Sequence, residues 1–128
     1  MDDGLITRIR GGPEAAVRAR IAISELETDL APSQLETLRL LVTELIGNSV
    51  RHAKAEAITL RVVVGRSSVL AEVTDPGPGF DPDGTGNPRG DHTGWGLYLV
   101  DQLAQRWGVS RNGRSSRVWF ELQRERTA

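Results

Sequence analysis

Residues 38–53, LRLLVTELIGNSVRHA, constrain the fold of this chain more than any other stretch. Leu38, Leu41, Val42, Leu45 and Ile46 recur at helical spacing, so one face is built for a core. Glu44, Asn48 and His52 follow one another at intervals of four. Each such step turns a helix by only about 40°, which sets the three polar groups in a slanted row beside the apolar stripe. A carboxylate followed one turn later by a carboxamide can place a base and a hard oxygen ligand together at the edge of a pocket. By itself the row also suits a boundary helix with a solvated polar side, a common arrangement.

A chain of 128 residues is one domain, 1–128, with room for the core this stripe requires. With 38% hydrophobic and 26% charged residues, the composition is that of a folded rather than a disordered chain. A net charge of −1 leaves no basic footprint for nucleic acid. The absence of cysteine excludes disulfides and thiolate metal sites and fits a reducing cytoplasm. No apolar run approaches the roughly 18 residues of a membrane span. The opening MDDGLITRIR lacks the charged head and apolar centre of a signal peptide. The expected location is therefore the cytoplasm, with no membrane and no nucleic-acid partner.

Along the chain, residues 5–10 alternate weakly and meet Gly11-Gly12-Pro13, which predicts a strand and a turn. Pro13 suits the first position of a helix running to about Glu27, with Glu14 in its first turn. A second helix starts at Pro32-Ser33 and runs to Ala53 or Lys54. Residues 57–64 (AITLRVVV) and 68–74 (SVLAEVT) read as an antiparallel hairpin. From Pro76 to Gly96 the chain places seven of its 14 glycines and four of its six prolines, so this segment reads as a long functional loop. Helical spacing returns over residues 95–107, with Leu97, Leu99, Val100 and Leu103 as core and Gly108 as the stop. Residues 109–111 and 117–123 form a last hairpin around Asn112-Gly113. Trp107 and Trp119 are expected in the core, and residues 124–128 as a frayed tail. Arg106, Arg111, Arg114 and Arg117 read as a solvated basic sheet edge. The order predicts an α+β two-layer sandwich: a mixed, mostly antiparallel sheet with three helices on one face.

Two further segments carry chemistry. Asp75 ends a strand that should be buried, and Gly77 and Gly79 follow it. A carboxylate at a pocket floor can accept a hydrogen bond from an exocyclic amine such as that of adenine, while glycines let the backbone approach a flat ring. The same residues also make an ordinary turn. Gly94 and Gly96 flank the start of the third helix, where free backbone N–H groups suit phosphate oxygens. No Gly-Lys-Ser/Thr follows, so this is no P-loop. The three segments together suit a nucleoside polyphosphate with Mg²⁺. That ion takes few protein oxygens, and Asn48 can supply one. Glu44, one turn away, can act as base.

In their order, ELIGNSVRHA, DPGPGF and GWGLYLV resemble the N, G1 and G2 boxes of the GHKL ATPases, which include gyrase and the histidine kinases. The resemblance spans residues 5–122. The E-x-x-x-N-x-x-x-H-A form, preceded by a strand and a helix, is similar to the anti-sigma-factor serine/threonine kinase branch. The resemblance implies the Bergerat fold, ATP and Mg²⁺ as cofactors, and phosphorylation of a serine on a small antagonist protein. A sigma factor and a homodimer are the other implied partners. It makes Asn48 the Mg²⁺ ligand and Glu44 the catalytic base. Asp75 reads the adenine amine, with Gly77 and Gly79 shaping that pocket, and Phe80, which opens the lid, is a further nucleotide-binding residue. Thr93, Gly94, Trp95, Gly96 and Leu97 stand at the phosphates, Arg51 and His52 line the pocket near Asn48, and residues 80–93 are the ATP lid. Two departures stand out. Trp95 lies between the glycines, and Arg117 occupies a strand where relatives often carry a threonine that assists the aspartate, unless Ser115 or Ser116 takes that part. The rival reading is an ATP-dependent binding module of the same fold with little or no phosphotransfer.

Overall fold

The computed structural model describes residues 3–53, 56–76, 92–111 and 115–124. Strand β1 (Asp3–Arg10) is followed by helices α1 (Ala15–Ser24) and α2 (Pro32–Asn48) and a π-helical turn (Ser49–Ala53). Strands β2 (Ala57–Val64) and β3 (Ser68–Pro76), helix α3 (His92–Leu103), and strands β4 (Arg106–Arg111) and β5 (Ser115–Gln123) complete the order. The five strands form one open sheet in the order β1-β2-β3-β5-β4, and every neighbouring pair is antiparallel. This is the α+β sandwich expected.

Alternation decides which face of the sheet meets the helices. Ile58, Leu60, Val62 and Val64 of β2, Val69, Ala71 and Val73 of β3, and Val118, Phe120 and Leu122 of β5 are all buried. Against them pack Leu38, Leu41, Val42, Leu45 and Ile46, the apolar stripe of α2, together with Ala19 and Ile23 of α1 and Leu97 and Val100 of α3. Each large side chain so buried contributes about 1.5–3 kcal/mol. The opposite face is mixed, with Ile6 (70% exposed), Val63 and Leu70 beside charged residues. Glu72 lies there between two arginines, accepting from Arg61 at 2.7 Å and from Arg117 at 2.9 Å.

Several boundaries differ from the sequence expectation. Helix α1 is shorter than residues 13–27, because Leu26 and Glu27 donate to carbonyls three residues back and tighten the chain into turns. The α-helical part of α2 ends at Asn48, and the expected last turn is π-helical. Helix α3 begins at His92 and ends at Leu103, rather than continuing to Trp107. Trp107 belongs to β4, opposite Phe120, and its indole N–H donates to Asp101 Oδ1 at 2.9 Å. Pairing with β5 therefore extends β4 back to Arg106 and ends the helix before Gly108 is reached. Leu103, expected as core, is 47% exposed, because it caps the open end of α3. Trp119 is on that outer face, since it alternates with buried Val118 and Phe120. Its ring lies on Gly108, where an added Cβ would come within 2.8 Å of the indole nitrogen. Arg124 is not frayed: its guanidinium donates to the carbonyls of Gly65 (2.8 Å) and Asp29 (2.6 Å). The Asn112-Gly113 turn and Arg114 lie outside the described residues.

Candidate functional site

The two ends of the sandwich are distinguished by where the chain enters and leaves each layer. Ser33 and Gln34 at the start of α2, Leu103 at the end of α3, and Leu122 and Gln123 at the end of β5 line one groove. The end of α2, the start of α3, the end of β3 and the start of β5 are therefore directed to the opposite end. Asn48, Asp75 and Ser116 belong to that opposite end.

Asp75 takes its place from strand register. It continues the buried series Val69, Ala71, Val73, so its side chain faces the helices and is only 3% exposed. Burying a carboxylate is costly unless hydrogen bonds replace its water. Two hydroxyls do so. Ser49, the first residue of the π turn, donates to Asp75 Oδ2 at 2.9 Å. Ser116, directly opposite Asp75 on β5, donates to Oδ1 at 3.1 Å. Ser116 thus puts a β5 hydroxyl on the carboxylate. Arg117 does not interfere, because it points to the other face and its guanidinium pairs with Glu72. Both hydroxyl donors are themselves buried, at 3% and 5% exposure.

Asn48 precedes Ser49 and is fully buried. Its Oδ1 accepts a hydrogen bond from Arg51 Nη2 at 2.9 Å. This is an oxygen already turned toward positive charge, as a ligand for a hard cation must be. Glu44, one turn earlier, is half-buried and makes no hydrogen bond or ion pair among the described residues. The donor set therefore fits an ion such as Mg²⁺ that keeps most of its water and takes one protein oxygen. Among the described residues no cluster of three His, Asp or Glu side chains forms a fuller cage.

The remaining candidates are placed in part. His52 lies in the π turn, and Thr93, Gly94, Trp95 and Gly96 lie in the first turns of α3. Only their backbone is described. The start of α3 carries backbone N–H groups that the helix itself does not use, as any helix start does. Leu97 is 8% exposed and belongs to the core, so only its main chain can face a ligand. Gly77, Gly79, Phe80 and residues 80–91 of the expected lid lie outside the described residues. Ser49 escaped the sequence reading altogether. Its signal was its place next to Asn48, but only the packing of α2 on the sheet brings Asp75 within reach of its hydroxyl.

Comparison with known proteins adds the following. The histidine kinase-like ATPase domain family matches residues 9–122. The structure of the RsbU and RsbW domains of Rv1364c from Mycobacterium tuberculosis is similar over 98% of this chain, with a TM-score of 0.74 and 18% identity. This chain spans 33% of the length of that one. The Acinetobacter baumannii histidine kinase AdeS is similar over 95% of this chain and 68% of its own, with a TM-score of 0.57 and 15% identity. At these identities the two structures show a shared fold.

Proposed function

This chain belongs to the histidine kinase-like ATPase domain family, and from that premise we propose that it is an ATP-dependent serine/threonine protein kinase of the anti-sigma-factor type. It would phosphorylate a serine on a small antagonist protein and so regulate a sigma factor in the cytoplasm, as a monomer or a homodimer. The fold itself is that of the kinase-type ATPases. What carries the nucleotide reading is the buried Asp75 carboxylate, held by Ser49 and Ser116 beside Asn48. A buried acceptor with both oxygens fixed by hydroxyls would match the exocyclic amine of adenine and repel the carbonyl that guanine carries there. The branch assignment rests on the E-x-x-x-N-x-x-x-H-A run and on the strand and helix that precede it.

Phosphoryl transfer asks the protein for position and electrostatics more than for covalent chemistry. Mg²⁺, ligated by Asn48 Oδ1, would neutralise phosphate charge. Asp75 would orient the base, and the N–H groups that open α3 would hold phosphate oxygens. Glu44 would accept the proton of the attacking serine hydroxyl as its oxygen bonds to the γ-phosphorus and the bond from that phosphorus to the β–γ bridging oxygen breaks, releasing ADP.

The test is incubation with Mg-ATP and a candidate antagonist protein carrying an acceptor serine. Acid-stable phosphoserine is the expected product. Acid-labile phosphate would move the assignment to a histidine acceptor. Tight ATP binding without transfer to any candidate would favour a nucleotide-gated binding module. Glu44→Ala should keep ATP affinity and lower transfer on the order of 10²–10⁴-fold, the usual share of a general base.

A further inference from the structure

We propose that Arg51 is a resident competitor of the divalent ion: the guanidinium and the metal are alternatives on Asn48 Oδ1, and nucleotide phosphate decides between them. The inference rests on the reading of Asn48 as metal ligand and deepens it.

Three adjacent features build the arrangement. Asn48 is fully buried, so its carbonyl oxygen needs a donor, and Arg51 Nη2 supplies one at 2.9 Å. Gly47 makes the seat. A Cβ at that position would lie 3.0 Å from Arg51 Nη1, so the guanidinium occupies space that any side chain at 47 would begin to fill. The π turn that starts at Ser49 carries Arg51 while Ser49 stays fixed on Asp75. The arginine can therefore move without disturbing the adenine side.

The charge balance favours an exchange. Arg51 is exposed and forms no ion pair among the described residues. Its full charge faces a neutral carboxamide, whereas charge-assisted pairing with a phosphate is the stronger bond. A divalent ion and a guanidinium aimed at one carbonyl oxygen repel each other at close range. Metal arrival thus expels Arg51, and a phosphate at the same site receives it. Metal without phosphate meets the arginine unopposed. It follows that metal and nucleotide bind as a unit, and that Arg51 sets how much Mg²⁺ this takes.

The experiment is a calorimetric titration of Mg²⁺ into the full chain without nucleotide, the state in which Arg51 holds Asn48 Oδ1. Wild type is compared with Arg51→Met, which keeps the apolar stem and removes the charge. The Mg²⁺ midpoint should fall about tenfold, the scale of one like-charge contact near a protein surface. Gly47→Ala crowds the seat but keeps the charge, and should lower the midpoint in the same direction by a smaller factor. It carries the test if circular dichroism shows Arg51→Met to be unfolded. A midpoint that is unchanged or raised in the folded variants overturns the proposal. If wild type binds ADP with Mg²⁺ and Asn48→Ala loses the metal dependence while these variants shift nothing, only the competition fails. If wild type binds neither ADP nor ATP in Mg²⁺, the nucleotide reading fails and takes this inference with it.

Discussion

At the scale of single residues, the site is a matter of acceptors given donors. Asp75 could not stay buried as a carboxylate without Ser49 and Ser116. Ser116→Ala should destabilise the fold by about 1–3 kcal/mol in urea unfolding, the range for leaving a buried acceptor unmet. Ser116→Thr, which keeps the hydroxyl, should restore most of it. A Ser116→Ala chain as stable as wild type would show that the hydroxyl bears no load. Asp75, Asn48 and Glu44 could all be picked out in the sequence, since each is a polar residue set into an apolar pattern. Ser49 could not, because its role depends on where β3 brings Asp75 against the end of α2, which no residue near Ser49 announces. Ser116 was legible only as one of two serines. The register Asp75 opposite Ser116 selects between them, and register is a property of two strands together.

At the scale of elements, the sequence located most strands and helices and missed where some of them end. The apolar periods that mark α2, β2 and β3 are local and strong. The boundary between α3 and β4 is different. Residues 103–107 continue a helical period, and only the partner strand β5 tells Trp107 to pair with Phe120. Trp119 was misplaced for a related reason, since an aromatic residue suits either face of a strand and alternation from Phe120 fixes which. Its seat on Gly108 gives a prediction about β4 and β5 as a pair. Gly108→Ala would press a methyl group against the ring, costing about 1–3 kcal/mol as overpacking does. Near-ultraviolet circular dichroism should report a displaced indole. An unchanged spectrum with unchanged stability would mean that the ring does not rest there.

At the scale of the whole molecule, two polar ties join the layers far from Asp75. Gln34 Nε2, at the start of α2, donates to the Gln123 carbonyl at 2.7 Å. Arg124 joins the β2–β3 turn to the segment between α1 and α2 through the carbonyls of Gly65 and Asp29. Arg124→Ala should lower stability by about 1–3 kcal/mol, since two hydrogen bonds from a charged donor are lost together. Because both carbonyls lie at the end away from Asp75, nucleotide affinity measured on the folded fraction should stay within about twofold of wild type, as additivity of distant sites requires. A loss of affinity beyond that would reveal coupling along α2.

The series Val69, Ala71, Val73, Asp75 has a consequence for how such a chain can change over time. The carboxylate is the last rung of a ladder whose other rungs are hydrophobic. A one-residue slip of β3 would turn Asp75 outward and bring Thr74 in, while sending three core side chains into water. On the proposed reading of Asp75 as the base acceptor, the specificity of this end therefore follows from the folding of the strand. Drift that preserves the fold preserves the acceptor's aim, and selection for a new base would have to act on the identity of residue 75 rather than on its position.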